Sequence, residues 1–293
     1  MNGLRIRTLS GRDLSFAMKL KNIAGWNQTE RDWQDYLFYD REGCFLAEYD
    51  GKEAGTLTTI RYGDRFGWIG MVLVHPEFRG RGIATQLLQS GIRHLRDQGV
   101  RCIKLDATAM GKKVYVPLGF EEEYDVRRYE LDPSASTRVP KGAAASAYRG
   151  EIRSFTEADL EEVAVCDAAI FGANREAVLE RLRGREPQYA FVTQDERGMT
   201  GYMMARQGYE AVQIGPWAAS DVQAAETLLA SLLAGVGDVK VFFDLPCPNV
   251  QGIHFIEKAG FRIQRTFCRM YLGFNANPGM PELVYGTSGA EKG

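Results

Sequence analysis

Apolar and polar residues change repeatedly along this chain between the spacing of a strand and the spacing of a helix. Residues 68–74, WIGMVLV, form an apolar run typical of a buried strand. Residues 83–98 place apolar side chains at helical spacing, which predicts an amphipathic helix. Two alternating runs flank Asp50 and Gly51 and predict a hairpin. Strands and helices therefore mix without strict alternation, which predicts an α/β class with an α+β mixed sheet.

The same patterns predict the other elements of the first half. The closing strand among them is expected to complete the sheet of this half. The predicted elements are a strand at residues 4–7, helical regions at 12–22 and 29–38, a strand at 102–107, a helical turn at 113–118 and the closing strand at 126–131.

The first and second halves of the chain repeat one another. IRTLSGRDL at residues 6–14 matches IRSFTEADL at residues 152–160. IKLDAT followed by VYVPLGF in the first half matches VFFDLP followed by FIEKAGF in the second. The matching pieces keep their order, and their spacing differs as loop insertions and deletions would make it differ. The chain is therefore predicted to be a tandem duplication of one fold.

A stretch rich in Ser, Ala, Gly and Pro separates the two copies and lacks periodicity, which is typical of a linker. We predict a first domain at residues 1–135, a linker at 136–150, a second domain at 151–275 and a tail at 276–293. The last residues of the tail, YGTSGAEKG, are too few and too polar to fold alone. Two alternatives stay open for them, namely disorder and docking over a cleft.

The segment between the apolar run and the amphipathic helix carries two Arg–Gly pairs at residues 79–82. Glycine permits backbone conformations closed to other residues and lets a ligand approach closely. The first turn of the helix leaves backbone N–H groups unpaired, and the helix dipole favours an anion beside them. Arg79 and Arg81 add positive charge. The pattern predicts a diphosphate site, with a Gly-rich turn carrying two solvated arginines as the alternative.

Residues 72–88, VLVHPEFRGRGIATQLL, resemble the acetyl-CoA-binding motif of the GNAT N-acetyltransferase superfamily. The three fixed places of that motif are filled by Arg79, Gly82 and Ala84. Downstream, VYVPLGF resembles the second signature of the family, with Tyr115 in the tyrosine place. The resemblance covers residues 4–132 directly and reaches the second half only through the repeat. It implies a GNAT fold in each half, with a central mixed, mostly antiparallel sheet flanked by helices.

The resemblance also implies roles for individual residues, with acetyl-CoA as the cosubstrate. The strand carrying Val72, Leu73 and Val74 would splay from its neighbour, pair with the pantetheine arm and polarise the thioester carbonyl. The pyrophosphate would be held by backbone amides of Arg79, Gly80, Arg81, Gly82, Ile83, Ala84 and Thr85. Tyr115 would protonate the leaving thiolate, with a buried core tyrosine as the alternative. The family often has Asn seven residues before the tyrosine, where this chain has Thr108.

No residue is assigned as the base that takes the proton of the attacking amine. The candidates by position are Asp106 at a strand end, Glu30 and Asp32 in the early helical region, and a water chain to solvent. A structural role as a strand-end cap is favoured for Asp106, because the second copy carries Asp244 at the matching place.

The second copy lacks the chemistry of the first. When the two copies are aligned, the loop of the second copy lacks the arginines and glycines of the first. It carries Ser220, Asp221 and Gln223 at the matching positions. An aspartate repels a diphosphate. Ile256 falls opposite Tyr115, so the proposed acid is also lost. The second domain is predicted to keep the fold, to have lost acetyl-CoA binding and to shape the acceptor site of the first domain.

Composition narrows the possible partners. The net charge of −2 gives no reason to expect a nucleic-acid partner. The chain shows no signal-peptide core and no run of 18 apolar residues, so we expect a cytoplasmic protein without a membrane partner. Five widely spaced cysteines without a CxxC motif predict reduced thiols. The three histidines show no ligand spacing, so no metal site is expected.

Together these features predict an N-acetyltransferase that moves the acetyl group from acetyl-CoA to a small-molecule or peptide amine by direct transfer in a ternary complex. No cysteine lies in either motif, so no acyl-enzyme is expected. A non-catalytic acyl-CoA-sensing or regulatory protein and an interaction scaffold are the alternatives. The intact Tyr115 disfavours the first, and the Arg–Gly loop disfavours the second. Monomer and homodimer both stay open.

Overall fold

The computed structural model describes residues 3–133 and 148–293, which form two compact units. Residues 136–147 of the predicted linker lie outside the described residues. The first unit comprises Met1–Glu123, Arg269–Ala276 and Lys292, and the second comprises Tyr124–Cys268, Asn277–Glu291 and Gly293.

The first unit contains a mixed sheet. Its strands, in their order across the sheet, are β1 (Leu4–Thr8), β2 (Phe45–Tyr49), β3 (Lys52–Tyr62), β4 (Phe66–Val74) and β5 (Cys102–Ala107). Neighbours are antiparallel, except that β4 and β5 are parallel. Asp50 and Gly51 have φ angles of 49° and 77° and join β2 to β3. Two positive φ angles in a two-residue turn are typical of a tight hairpin, so the predicted hairpin is confirmed.

Helices cover both faces of this sheet. They are α1 (Leu14–Ile23), α2 (Glu30–Tyr39), α3 (Ile83–Asp97) and α4 (Ala109–Tyr115). Helix α3 packs closely on one face, because a Cβ atom on Gly67 or Gly91 would lie 2.8 Å from a leucine side chain. On the other face the Tyr62 hydroxyl donates to Lys292 O (2.6 Å), and the Lys292 ammonium lies 5.3 Å from the ring centroid of Tyr36 on α2.

The second unit has the same sequence of elements. Its strands are β6 (Glu121–Leu131) from Tyr124 onward, β7 (Glu151–Ser154), β8 (Ala190–Asp195), β9 (Gly198–Gln207), β10 (Val212–Ala219), β11 (Val241–Pro246) and β13 (Val284–Gly286). Its helices are α5 (Leu160–Phe171), α6 (Glu176–Arg185), α7 (Val222–Val236) and α8 (Val250–Lys258). The sheet order is β7-β8-β9-β10-β11-β6, with β10 and β11 parallel and β13 paired to β10.

The repeated sequence at the start of each half builds the same ion pair in each unit. Arg7 donates two hydrogen bonds to Asp13 (2.9 and 2.8 Å), and Arg153 donates two to Asp159 (2.8 and 2.7 Å). Each aspartate also accepts the backbone N–H three residues earlier and so starts its helical segment. The tandem duplication predicted from the repeat is confirmed.

The closing strand of each sequence half contributes residues to both units. Strand β12 (Arg262–Gly273) belongs to the second unit through Cys268 and to the first from Arg269 onward. The expectation that residues 126–131 complete the sheet of the first half is wrong, because they pair antiparallel with β11 in the second unit. Arg128 fixes that pairing through a buried ion pair with Asp244 (2.7 and 2.8 Å). Domains at residues 1–135 and 151–275 stay a prediction. The compact units instead divide the chain within strands β6 and β12.

Candidate active site

Strands β4 and β5 pair over a short length and then diverge. Their described register consists of Gly67 with Ile103 and Trp68 with Lys104. Strand β4 continues to Val74, beyond the described pairing with β5. The backbone groups along this part of the β4 edge can therefore pair with an extended ligand, as an added strand would.

Strand β4 carries a bulge where it leaves β5. The register with β3 shifts between Thr56 and Thr58, and Met71 has a φ angle of 50°. That conformation costs a non-glycine residue about 1–2 kcal/mol. The Thr56 hydroxyl donates to Met71 O (3.0 Å), and a Cβ atom on Gly55 would lie 2.7 Å from Leu73 O. Neighbouring groups thus hold the bulge, which is typical of backbone that serves a functional site.

The three predicted strand residues lie just after this bulge. Val72 and Val74 are half-buried, while the side chain of Leu73 belongs to the core. Leu73 can therefore contribute to a site only through its backbone. The structure brings all three residues to the diverging edge, and their part in binding stays a prediction.

The loop after β4 leaves open space beside the start of α3. Gly80 and Gly82 have φ angles of 76° and 74°, and a Cβ atom on Gly80 would meet nothing within 4 Å. Gly82 is the N-cap of α3 and has no side chain with which to cap the helix. The first-turn N–H groups of Ile83, Ala84 and Thr85 therefore donate no hydrogen bond to an N-cap side chain. Together with the helix dipole they favour an anion.

The two arginines of the loop are exposed and have different partners. Arg79 Nε donates to Val74 O (3.2 Å) and ties the loop to the end of β4. The Arg81 guanidinium lies 4.9 Å from the ring centroid of Tyr49 and 5.8 Å from that of Phe78. These cation–π contacts orient the charge of Arg81. The sequence did not reveal the part of Tyr49, because Tyr49 ends a strand remote from the loop in sequence.

Tyr115 ends α4 with its ring packed inside the first unit. The ring centroids of Tyr115 and Phe120 are 5.9 Å apart, and a Cβ atom on Gly111 would lie 2.8 Å from the Tyr115 ring. Burial raises the pKa of Tyr115 above its ordinary value. The hydroxyl therefore stays protonated at neutral pH, as a proton donor must be. The Thr108 hydroxyl accepts from Gly111 N (3.1 Å) and caps α4.

Asp106 has a structural partner. Arg269 donates two hydrogen bonds to its carboxylate (2.8 and 3.0 Å), and the guanidinium lies 4.8 Å from the Trp68 ring centroid. Asp244, the matching residue of the second copy, forms the equivalent pair with Arg128. The shared arrangement supports the structural role over catalysis for Asp106. Arg269 lies in the second sequence half, so the sequence did not reveal it.

Asp32 is also engaged. Its carboxylate accepts from the backbone N–H and the hydroxyl of Thr29 (2.8 and 2.9 Å), which caps α2. The same carboxylate lies 3.8 Å from Lys292 Nζ. Glu30 is the first residue of α2. Among the three carboxylates considered as bases, Asp32 and Asp106 therefore have structural roles.

The second unit differs from the first at the start of its matching helix. Asp221 caps α7, because its carboxylate accepts from Ala224 N (2.9 Å) and from the Ser220 hydroxyl (3.0 Å). Gln223 follows within the first turn, and Ile256 is fully buried. A carboxylate thus occupies the helix terminus that is uncapped in the first unit.

Strand β10 of the second unit pairs with a later segment of the same chain, β13. Strands β10 and β11 pair through Val212 with Val241 and Gln213 with Phe242, as β4 and β5 pair in the first unit. Farther along β10, β13 pairs with it and Thr287 N donates to Asp244 O (2.8 Å). The start of the tail is therefore ordered, because Val284–Gly286 forms a strand, and docking over a cleft stays a prediction.

Two acetyltransferase models match the chain. The acetyltransferase (GNAT) family model matches residues 18–120, and an acetyltransferase (GNAT) domain model matches residues 163–286. The chain belongs to the GNAT acetyltransferase family. Both copies of the duplicated fold are therefore GNAT domains, and the protein is an acyltransferase, as the sequence predicted.

Similar proteins include an acyltransferase and a tandem GNAT protein. The chain is 26% identical over 250 residues to a holothin acyltransferase of Pseudoalteromonas sp. (strain SANK 73390), covering 85% of this chain and 81% of that protein. A putative acetyltransferase from Pyrococcus horikoshii has the same fold, with a TM-score of 0.80, 22% identity and coverage of 100% and 97%. A tandem GNAT protein from the clavulanic acid biosynthesis pathway aligns with a TM-score of 0.66, 13% identity and coverage of 92% and 98%.

No described helix combines the length and apolar character needed to cross a bilayer. No group of three His, Cys, Asp or Glu side chains suited to a metal ion occurs in residues 3–133 and 148–293. The five cysteines are free thiols, and three of them, Cys44, Cys102 and Cys268, are buried.

Proposed function

We propose that this GNAT protein is an N-acetyltransferase that moves the acetyl group of acetyl-CoA to a small-molecule or peptide amine by direct transfer in a ternary complex. One contrast carries the proposal. The uncapped start of α3 in the first unit is open to an anion, whereas Asp221 caps the matching helix of the second unit. The cosubstrate is therefore assigned to the first unit alone.

Acetyl-CoA carries a diphosphate at one end and a thioester at the other, and each part has a proposed partner in the first unit. First-turn amides of α3 would hold the diphosphate, with Arg81 beside them. The β4 edge at residues 72–74 would pair with the pantetheine amides, as an added strand does. Backbone N–H groups at the Met71 bulge would donate to the thioester carbonyl oxygen as negative charge develops there.

The transfer step needs one proton donor and one proton acceptor. A bond forms between the amine nitrogen and the acetyl carbon, and the carbon–sulfur bond breaks. The leaving sulfur takes the proton of the Tyr115 hydroxyl, which solvent then restores. The proton of the amine leaves through water or to Glu30, since Asp32 and Asp106 are engaged in structural contacts. No cysteine takes part.

The acceptor class follows from the family at the level of small-molecule or peptide amines. The relative that is named a holothin acyltransferase motivates testing longer acyl-CoA thioesters beside acetyl-CoA. Dependence on acetyl-CoA is the reason for proposing a cytoplasmic location. The duplication lets one chain supply two GNAT domains, so we propose a monomer, with a homodimer as the alternative.

A turnover assay tests the proposal. The full chain is incubated with acetyl-CoA and a panel of primary amines, and release of free CoA thiol is compared with formation of the acetylated amine by mass spectrometry. Equal amounts of the two products are expected. Intact-protein mass spectrometry after rapid quenching should show no acetylated protein. Binding of acetyl-CoA without turnover of any amine would instead favour the acyl-CoA-sensing alternative.

A further inference from the structure

The diverging strands of the two units can be aligned residue by residue. Strand β4 begins its parallel pairing with β5 at Gly67, and strand β10 begins its parallel pairing with β11 at Val212. Counted from these two residues, positions 72–74 of β4 correspond to positions 217–219 of β10.

Two further features agree with this alignment. The register of β10 with β9 shifts between Ile214 and Trp217, so the bulge that β4 carries at Met71 recurs in β10. Asp106 and Asp244 each lie three residues after the first paired residue of their strands, and each forms an ion pair with an arginine. The two units therefore have the same backbone framework beside their diverging strands.

A segment of the tail pairs with β10 at these corresponding positions. Strand β13 is antiparallel to β10, and Val284 is the partner of Ala218. Gly286 is the partner of Trp217. Asn249 Nδ2 donates to Val284 O (3.0 Å) and holds the start of the strand. The tail thus adds a strand to β10 where the β4 edge is proposed to pair with pantetheine.

The tail then reaches the bulge of β10. Thr287 N donates to Asp244 O on β11 (2.8 Å), so the tail contacts both diverging strands. A Cβ atom on Gly215 would collide with Thr287 O, because the tail backbone passes directly over the bulge. The tail therefore runs from the α7 end of β10 to the bulge, as the pantetheine arm would run from the diphosphate to the thioester in the first unit.

Burial distinguishes the two grooves. Every residue of β10 is buried, whereas Val72 and Val74 of β4 are half-buried. The ring centroids of Trp217 and Tyr285 lie 5.2 Å apart, and both residues are buried. The tail thus fills the groove of the second unit, while the corresponding edge of the first unit is less covered.

We propose that residues 284–287 are an internal ligand of the second unit, bound in a groove that accepts an extended chain of amides. A peptide strand and pantetheine share that chemistry. The bound tail closes the second unit to acyl-CoA independently of Asp221, which lies at the start of α7. The equivalence with the pantetheine site of the first unit rests on the proposed function, whereas the seating of the tail does not.

Hydrogen–deuterium exchange of the full chain measures the seating of the tail. Gly215→Ala places a methyl group against Thr287 O and should raise the exchange rate of residues 284–287 at least about 10-fold. Gly198→Ala is the matched control, because its φ angle of 122° is also positive and its Cβ atom would meet nothing within 4 Å. The control should leave that exchange rate within about two-fold of the original.

Pantetheine then tests whether the groove accepts the arm of the cosubstrate. Pantetheine lacks the diphosphate, so the charge of Asp221 does not repel it. Tyr285→Ala removes the ring that packs on Trp217 and loosens the tail without adding an atom to the groove. Millimolar pantetheine should slow exchange at residues 217–219 of this variant at least about three-fold. It should leave the same residues unchanged in the original chain and in Tyr209→Ala, which alters an exposed tyrosine.

The outcomes separate this proposal from the proposed function. Equal exchange of residues 284–287 in the two glycine variants, or no effect of pantetheine on Tyr285→Ala, overturns the internal ligand. Slowing by pantetheine at residues 217–219 of the original chain also overturns it, because the tail would then leave the groove open. Acetylation of an amine beside any of these results leaves the proposed function standing. The expected exchange results without acetylation of any amine support the internal ligand and overturn the proposed function.

Discussion

An acidic residue at the start of α3 should block the diphosphate site. Gly82 is the N-cap of α3 and has a φ angle of 74°. Gly82 is exposed, so a side chain at this position faces solvent. Gly82→Asp places there the residue type that caps α7 as Asp221. Gly82→Asn is the matched control, since it has the same size and the same backbone strain without the charge.

The expected loss follows from the charge alone. Two unit charges about 5 Å apart in water interact with about 0.8 kcal/mol. The value for water applies because residues 79–82 are exposed. A diphosphate carries two negative charges, so the Asp variant should bind acetyl-CoA about 1.7 kcal/mol more weakly than the Asn variant. This difference corresponds to roughly 15-fold in Kd.

Isothermal calorimetry with acetyl-CoA measures this difference directly. The ratio of the two Kd values should be largest at low ionic strength and should shrink as salt screens the exposed charges. Equal Kd values for the Asp and Asn variants at low salt would refute the placement of the diphosphate at this helix terminus. A ratio that does not change with salt would show that the loss is not electrostatic.

Three further perturbations test other parts of the account. Tyr115→Phe should lower kcat about 100-fold by removing the proton donor, with the Kd of acetyl-CoA changed less than about two-fold, as steady-state thiol release and calorimetry would show. Arg269→Met leaves the buried carboxylate of Asp106 without its ion-pair partner and should lower the free energy of unfolding by about 3–5 kcal/mol in urea titrations. Hydrogen bonds from an arginine lower the pKa of Asp13 and of Asp159 from 3.8 to about 2. Their stabilisation is therefore present above about pH 4 and is lost as the pH falls to about 2, so urea midpoints of Asp13→Asn should fall less steeply over this range than those of the original chain.

Exposed residues elsewhere in the chain supply the controls. Tyr209→Phe, Arg65→Met and Asp64→Asn change residues whose side chains are largely exposed, and each should leave the corresponding measurement within error of the original chain. Full kcat in Tyr115→Phe would contradict the proton-donor role. Equal stability of the Arg269→Met and Arg65→Met variants would contradict the structural role of the Arg269 ion pair.

Strands and helices whose apolar residues recur at a regular local spacing could be predicted from the sequence. The apolar run at residues 68–74 lies within Phe66–Val74, and the helix predicted at 83–98 is observed at Ile83–Asp97. The turn predicted at 113–118 begins earlier, as Ala109–Tyr115, because the Thr108 hydroxyl caps the helix. A threonine cap is a local signal, so this boundary was within reach of the sequence.

Contacts between remote segments could not be predicted in this way. The partner of Asp106 is Arg269, and the carboxylate of Glu123 meets Asn275. Register between strands that are distant along the chain depends on packing and paired charges rather than on a local pattern. The strand Val284–Gly286 could not be predicted for a related reason. Its position depends on backbone pairing with β10, and so few residues cannot show a regular spacing of apolar side chains.

The central claim is that the chain binds one acetyl-CoA molecule, in the first unit. Calorimetric titration of the purified full chain with acetyl-CoA tests it most directly through the stoichiometry. The account predicts about one site per chain, bound roughly 15-fold more weakly in Gly82→Asp than in Gly82→Asn and unaffected by Asp221→Asn. Two sites per chain, or equal Kd values for the two Gly82 variants with a Kd altered by Asp221→Asn, would contradict it.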